Sequence, residues 1–137
     1  VFADFYDSGD AGLRSARASR IEGIGRPRVE PSFVPSVVDR MIRVPDAASL
    51  GTMRFLHQVL GRRCGGSTGT NVWGAFELIA GMAARGEQGS VVTLLCDGGE
   101  RYLDTYYSDA WLAGQGIDIA PWQARCEAFF HRGEWTA

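Results

Sequence analysis

The sequence predicts an α/β protein, and two kinds of apolar pattern support that prediction. Apolar residues recur at helical spacing in three segments, from Asp46 to about Arg63, from Val72 to Gly86 and from Trp122 to Phe130. Before the last of these, Ser90 to Cys96 is a continuous apolar run and the strongest strand candidate in the chain. A run of this kind is typical of a parallel strand that helices cover on both faces.

The amino-terminal third is predicted to contain less regular structure. Val1 to Tyr6 alternates in the manner of a strand, and Asp7 to Gly25 is a polar, glycine-rich connection. Three prolines keep Arg26 to Ser36 extended or turned. Met41 to Val44 is a second, short strand candidate, and Asp46 is a suitable N-cap for the first long helix.

Composition places the chain among ordinary globular proteins. Its 137 residues are 45% hydrophobic and 22% charged, and the formal charge of −2 leaves no basic surface for nucleic acid. No apolar run is long enough to cross a membrane and no signal peptide opens the chain, so we expect a cytoplasmic protein. All fourteen basic residues are arginine. A start at Val1 instead of methionine indicates part of a longer polypeptide.

The cysteines and histidines do not form a metal-binding pattern. Cys64, Cys96 and Cys126 are odd in number and lack CxxC spacing, which argues against a disulfide framework and a zinc site. We therefore expect unpaired thiols and no metal. His57 and His131 lie far apart in sequence, each beside apolar residues, and are expected to be structural.

The most informative stretch is Gly65 to Asn71, between the first two long helices. Glycines allow a ligand to approach the backbone closely, so a small-residue stretch that opens a helix suits ligand binding. Gly61 and Gly66, followed by Ser67 and Thr68, have the spacing of a nucleotide P-loop, but the lysine and the preceding strand are missing. The alternative is a glycine-rich turn between helices that binds nothing.

Further motifs lie before and after this stretch in the sequence. They are Glu22 to Gly25, Phe33 to Arg40, Gly66 to Gly69, the apolar strand with Asp97 to Leu103 after it, and Ser108 to Leu112. In this order they resemble the second half of a fold-type II pyridoxal-phosphate enzyme of the cysteine synthase and cystathionine β-synthase family. The resemblance covers Val1 to Leu112.

The resemblance implies a three-layer parallel-sheet fold like that of the tryptophan synthase β subunit. Residues 1–137 would be a single segment, the carboxyl-terminal half of the catalytic domain. It also implies pyridoxal 5′-phosphate as the cofactor, a homodimer, and a small amino-acid substrate. The partner that completes the domain would be the missing amino-terminal half, with no nucleic acid or membrane involved.

The resemblance also implies cofactor-binding roles for residues of the central stretch. In the family, a serine matching Ser67 hydrogen-bonds the pyridine nitrogen of the cofactor. A neutral hydroxyl there makes a weaker electron sink than a carboxylate, which suits elimination and replacement at the β-carbon. Thr68 is the alternative partner, because one step of alignment decides which hydroxyl faces the ring.

Two more groups of residues match positions close to the cofactor. Gly23, Ile24 and Gly25 correspond to backbone beside the cofactor and the substrate, although a simple need for glycine in a turn is the alternative. Cys96 and Asp97 correspond to positions that flank the pyridine ring. For Cys96 the alternative is an inert, small core residue.

Parts of the family pattern have no match here. The Schiff-base lysine, the substrate-carboxylate loop and the glycine-rich phosphate cup belong to the earlier half of the family's sequence, so no catalytic residue is assigned in this chain. Arg26 to Ser32 is longer than the usual connection, which leaves the subfamily open. Arg101 and Tyr102 are expected to be structural.

The function that the resemblance implies is β-replacement or β-elimination on cysteine, serine or an O-activated serine, as in cysteine synthase. One alternative is a cysteine desulfhydrase, which releases sulfide, pyruvate and ammonia. Another is a binding or interaction module without catalysis. Without a lysine, the chain alone is expected to be inactive.

Overall fold

The structure, a computed structural model, describes residues 1–16 and 18–136. Its contacts divide the chain into two compact units, Val1–Arg43 and Val44–Ala137. Helix α1 (Phe2–Ser8) lies in the first unit, and the second contains α2 (Asp46–Leu60), α3 (Gly66–Ala84), α4 (Asp109–Gly114) and α5 (Ala120–Arg132). Short 3-10 helices form at Pro35–Val37 and Glu100–Tyr102. Arg17, within the predicted polar connection, lies outside the described residues.

The strand predicted from Val1 to Tyr6 is wrong, because this segment forms helix α1. Phe2 and Phe5 lie one helical turn apart, and both rings contact Phe33, with centroid distances of 4.7 Å and 6.0 Å. A helix places residues three apart on one face, whereas a strand would place them on opposite faces. Contact of both rings with one partner therefore favours the helix.

The two central helices are confirmed, but their amino termini differ from the prediction. Pro45 holds the N-cap position of α2, and Asp46 is its first helical residue. Helix α3 begins at Gly66, six residues before Val72, and Gly65 is its extended N-cap. The glycine-rich stretch is therefore mostly the first turns of α3, so its backbone N–H groups belong to a helix amino terminus.

Glycine allows α2 to pack closely against its two neighbours. A Cβ on Gly69 of α3 would collide with the backbone carbonyl of Ser49 in α2. A Cβ on Gly51 of α2 would lie 2.8 Å from the Cβ of Trp122 in α5. Helix α2 contributes more buried residues than any other helix of the second unit, with Leu50, Met53 and Phe55 among them.

The predicted carboxyl-terminal helix is confirmed as α5, and aromatic rings join it to α3. Trp73 contacts Trp122 and Trp135 at 5.2 Å and 4.8 Å between centroids, and Phe76 contacts Phe129 at 5.0 Å. These ring pairs hold the carboxyl-terminal part of the chain against the middle of α3.

The segment from Ser90 to Cys96 has no regular secondary structure. Its apolar side chains are largely solvent-exposed, with Val92 at 89% and Leu94 at 71%. Within the part of the chain that the structure describes, pairing is limited to two isolated bridges, so this segment has no neighbouring strand. Met41 to Val44 is likewise irregular. The parallel sheet and the α/β class therefore stay predictions, because they require strands from outside this chain.

The contact between Gly69 and Ser49 generates a stability prediction. Gly69→Ala should lower the free energy of unfolding by about 1–3 kcal/mol, because the new methyl group displaces the backbone of α2. Gly74→Ala is the matched control, since a Cβ there meets nothing within 4 Å and alanine favours the helix by up to about 1 kcal/mol. Urea denaturation of both variants measures the difference, and an equal response of the two would contradict the packing described here.

Candidate functional site

The candidate site lies where the segment after α2 meets the segment after Cys96. Cys64 and Gly98 form an antiparallel bridge, and the N–H of Gly65 donates to the carbonyl oxygen of Asp97 at 2.9 Å. A Cβ on Gly65 would collide with the carboxylate of Asp97. The missing side chain at Gly65 therefore allows this carboxylate to lie against the amino terminus of α3.

The two hydroxyl groups at the start of α3 have different surroundings. Thr68 is fully buried, and its Oγ1 accepts a hydrogen bond of 2.9 Å from the N–H of Cys96. Ser67 is half-buried, and its Oγ donates to Oδ1 of Asp97 at 3.4 Å, which is long for such a bond. The Thr68 hydroxyl is thus occupied within the fold, whereas that of Ser67 remains accessible to a ligand.

Asn71 is a residue of the site that the sequence analysis did not assign. Its side-chain amide donates to the carbonyl oxygen of Leu94 at 3.2 Å and to Sγ of Cys96 at 3.4 Å. It lies four residues after Ser67, on the same face of α3. That spacing is the signal in the sequence that would have identified it.

Two tyrosines hold the two sides of the site. The hydroxyl of Tyr102 donates to Oδ2 of Asp97 at 2.7 Å. The hydroxyl of Tyr107 donates to the carbonyl oxygen of Cys64 at 2.9 Å and accepts from its N–H at 3.1 Å. Burial is the main cause that raises the pKa of Tyr107 to about 12. Tyr102 was expected to be structural. Tyr107 was not predicted, because it is separated from Cys64 by 43 positions and no local pattern relates the two residues.

Four of the predicted cofactor-binding residues therefore lie together, namely Ser67, Thr68, Cys96 and Asp97. Cys96 is exposed in this chain. The cofactor-binding role of each residue stays a prediction.

Gly23, Ile24 and Gly25 belong to the first unit, which is described by itself. Gly23 and Gly25 have φ of +80° and +72°, values that favour glycine, so a turn explains both. Gly23 also borders a cavity of about 450 Å³. The other residues that line this cavity are Phe2, Arg26, Glu30, Ser32 and Phe33.

All three cysteines are free. Cys64 and Cys126 are buried, and burial raises the pKa of both thiols. Among residues 1–16 and 18–136, no group of three or more histidine, cysteine or acidic side chains has a metal-binding arrangement. Across the same residues, no helix combines the length and apolarity needed to span a membrane.

No family model matches the chain, but comparison with known proteins finds relatives. The chain is similar to the protein named L-cysteine desulfhydrase Cds1 of Mycobacterium tuberculosis (strain ATCC 25177 / H37Ra). The two sequences are 56% identical over 136 residues, which is 99% of this chain. The chain spans 37% of the length of this relative.

The unequal surroundings of the two hydroxyls can be tested by stability measurements. Thr68→Val should lower the free energy of unfolding by about 1–3 kcal/mol, because the N–H of Cys96 loses its acceptor in a partly buried position. Ser67→Ala should change stability by less than about 0.5 kcal/mol, since its contact is long and half-exposed. Denaturant unfolding of both variants, with Thr68→Ser as the variant that keeps the acceptor, measures the effect. An equal loss of stability in Thr68→Val and Ser67→Ala would contradict the different surroundings described for the two hydroxyls.

Proposed function

We propose that this chain is part of a pyridoxal-phosphate-dependent L-cysteine desulfhydrase. Such an enzyme cleaves the bond between the β-carbon and sulfur of L-cysteine and, with one water molecule, releases sulfide, pyruvate and ammonia. The observation that carries the proposal is the 56% identity to a protein of that name over 136 residues. Because the match includes 99% of this chain, it extends across both segments of the candidate site.

The residues of the site fit one part of the proposed cofactor, its pyridine nitrogen. Pyridoxal phosphate supplies the electron withdrawal that weakens bonds at the α- and β-carbons of an amino acid, and the protein tunes it through the partner of that nitrogen. Ser67 offers an accessible, neutral hydroxyl at the amino terminus of α3. Gly65 and Gly66 carry no side chains that would obstruct the approach of a flat ring.

Other residues of the site have supporting roles in this proposal. Ser67 would bind the ring nitrogen, and Thr68 would hold the Cys96 segment through its hydrogen bond to the backbone. Cys96 and Asp97 would border the ring, with Asn71 fixing the position of Cys96. Gly23 to Gly25 would lie beside the substrate in the complete enzyme.

The chain does not supply every group that the reaction requires. It contains no lysine, so the covalent attachment of the cofactor and the removal of the α-proton would depend on residues elsewhere in the polypeptide. The relative is long enough to contain such residues outside the matched region, because the chain spans 37% of its length.

A second candidate function is β-replacement, as in cysteine synthase. The motifs from Glu22 to Leu112 support it, because they resemble the family that includes cysteine synthase and cystathionine β-synthase. The name of the relative favours elimination without a replacing nucleophile. Elimination is therefore the first choice.

The fold and the oligomeric state of the intact enzyme are also proposals. The exposed apolar segment from Ser90 to Cys96 would pair with parallel strands from the remainder of the polypeptide, within a fold-type II catalytic domain. The intact enzyme would be a homodimer in the cytoplasm. Its carboxyl-terminal half would contain this chain.

Product analysis tests the proposed reaction. The full-length protein with L-cysteine alone should release sulfide and pyruvate in a 1:1 ratio, and the 137-residue chain, which has no lysine, should release neither. A parallel reaction with O-acetylserine and sulfide measures cysteine synthesis. Cysteine synthesis without sulfide release from cysteine would favour the second candidate, and inactivity in both reactions would overturn the enzymatic proposal.

The role of Ser67 can be tested by two substitutions in the full-length protein. Ser67→Ala should weaken cofactor retention modestly, by about 0.5–1.5 kcal/mol, because one neutral hydrogen bond is lost. Ser67→Asp should retain the cofactor but slow sulfide release, because a carboxylate holds the ring nitrogen protonated. Cofactor absorbance and sulfide release are the measurements.

Thr68→Ser and Thr68→Val distinguish the two hydroxyls in the same assays. If Ser67→Asp released sulfide normally while Thr68→Val shifted the cofactor absorbance, Thr68 would be the ring partner. If substitutions at both positions left absorbance and rate unchanged, the start of α3 would not contact the cofactor.

A further inference from the structure

We propose that Tyr107 is a positioning residue for the cofactor, which acts through the backbone of Cys64 to hold Ser67 in place at the start of α3. This inference rests on the proposed function, because Ser67 matters here as the partner of the pyridine nitrogen. It is carried by a helix amino terminus with few restraints of its own and by a distant side chain that fixes the residue before it.

The first turn of α3 has little local structure to hold it. Its N-cap is Gly65, which has no side chain to accept a hydrogen bond from the first turn, and Gly66 follows. Glycine adds backbone freedom, and the first four N–H groups of a helix have no partner within the helix. Helix ends of this kind fray unless another part of the chain holds them. Because Ser67 is the next residue, restraint on the residues before it determines where its hydroxyl lies.

The hydroxyl of Tyr107 supplies such a restraint. It donates to the carbonyl oxygen of Cys64 at 2.9 Å and accepts from the N–H of the same residue at 3.1 Å. Both distances lie in the usual range for hydrogen bonds. Cys64 is only 4% exposed, so water cannot readily replace the tyrosine at these atoms. One side chain therefore fixes both polar backbone groups of the residue directly before the N-cap of α3.

Tyr107 is itself held by α2. Nε of Arg54 donates to the carbonyl oxygen of Tyr106 at 2.8 Å, and its Nη2 donates to Oδ1 of Asp109 at 2.8 Å. The guanidinium of Arg54 also lies 5.4 Å from the centroid of the Tyr107 ring. The ring of His57 packs nearly perpendicular to that ring, with the two centroids 5.7 Å apart. The phenol is thus attached to a long helix of the core, and it transmits the position of that helix to the start of α3.

The hydroxyl of Tyr107 keeps its hydrogen under ordinary conditions. Burial is the main cause that raises the pKa of Tyr107 to about 12. The phenol therefore stays protonated at neutral and mildly alkaline pH, and its hydrogen bond to the carbonyl oxygen of Cys64 persists. The role proposed for Tyr107 is geometric and involves no proton transfer.

A double-mutant cycle in the full-length protein tests whether Tyr107 acts through Ser67. Tyr107→Phe keeps the ring but removes the hydroxyl, so a displaced Ser67 should lose part of its hydrogen bond to the ring nitrogen. The dissociation constant of pyridoxal phosphate should rise about two- to fivefold, and by no more than in Ser67→Ala. In the Ser67→Ala protein, Tyr107→Phe should raise it less than about 1.5-fold, because the hydroxyl that it positions is already absent. Titrations followed by the absorbance of the bound cofactor measure the four constants.

Steady-state kinetics provide a second measurement. Tyr107→Phe should lower kcat for sulfide release, counted per bound cofactor, by about twofold or more, because Ser67 tunes the electron withdrawal of the ring. KM for L-cysteine should change less than about twofold, since the interaction lost is with the cofactor and not with the substrate. A purely structural role would lower the fraction of protein that binds cofactor and leave kcat per bound cofactor unchanged.

Tyr6→Phe is the matched control, because the hydroxyl of Tyr6 also donates to a distant backbone carbonyl, that of Asp39, at 3.2 Å. This variant should leave cofactor affinity and kcat unchanged, with or without the Ser67 hydroxyl. If Tyr107→Phe does not fold, as judged by circular dichroism, Arg54→Met takes its place in the cycle. That substitution keeps the phenol but removes the hydrogen bonds that fix its segment on α2, and it should likewise have no further effect in Ser67→Ala.

The results separate this inference from the proposed function. Equal effects of Tyr107→Phe with and without the Ser67 hydroxyl, or no effect in the wild-type protein, would overturn the positioning role and leave the proposed function intact. A similar loss of affinity in Tyr6→Phe would also overturn it. Unchanged affinity in Ser67→Ala, with sulfide still released, would remove Ser67 as the ring partner and this inference with it. A full-length protein that binds no pyridoxal phosphate would overturn the proposed function as well.

Discussion

The close contact between α3 and the backbone of α2 is the constraint on which the candidate site depends. A side chain at Gly69 would collide with the carbonyl of Ser49, so glycine sets how near the two helices lie and how α3 is rotated. Successive residues of a helix point about 100° apart. With Gly69 against α2 and Thr68 buried under the Cys96 segment, Ser67 is the hydroxyl left accessible. Packing, and not side-chain chemistry, decides which hydroxyl is available to a ligand.

The electrostatics of the site follow from the same arrangement. The carboxylate of Asp97 lies at the amino terminus of α3, where the helix dipole stabilises negative charge by about 0.3–1 kcal/mol. It accepts hydrogen bonds from Ser67 and Tyr102.

The sequence predicted α2, α3 and α5, because their apolar faces are buried within this chain, but it did not predict α4. It predicted α1 wrongly, although Phe2, Phe5 and Tyr6 have the i, i+3, i+4 spacing of one helix face, and both phenylalanines use that face to contact Phe33. The strand predicted from Ser90 to Cys96 does not form in this chain for another reason. A strand needs a neighbouring strand as its hydrogen-bond partner, and a local apolar run does not tell whether that neighbour belongs to the same chain.

For the site, the sequence identified residues that are close along the chain or that carry a family resemblance. Ser67, Thr68, Cys96 and Asp97 were named, and the structure brings them together. Tyr107 was missed because its contact with Cys64 joins distant positions through backbone atoms, which carry no residue-specific signal. The different burial of Ser67 and Thr68 was not predicted, because the sequence alone does not distinguish adjacent small hydroxyl residues.

The central claim is that the amino terminus of α3 receives the ring nitrogen of pyridoxal phosphate through Ser67. A crystal structure of the full-length protein with the bound cofactor tests this most directly. Our account predicts Ser67 Oγ within about 3.2 Å of the pyridine nitrogen, with Thr68 still accepting the N–H of Cys96. A cofactor whose ring nitrogen contacts Thr68, or no residue of this turn, would contradict it.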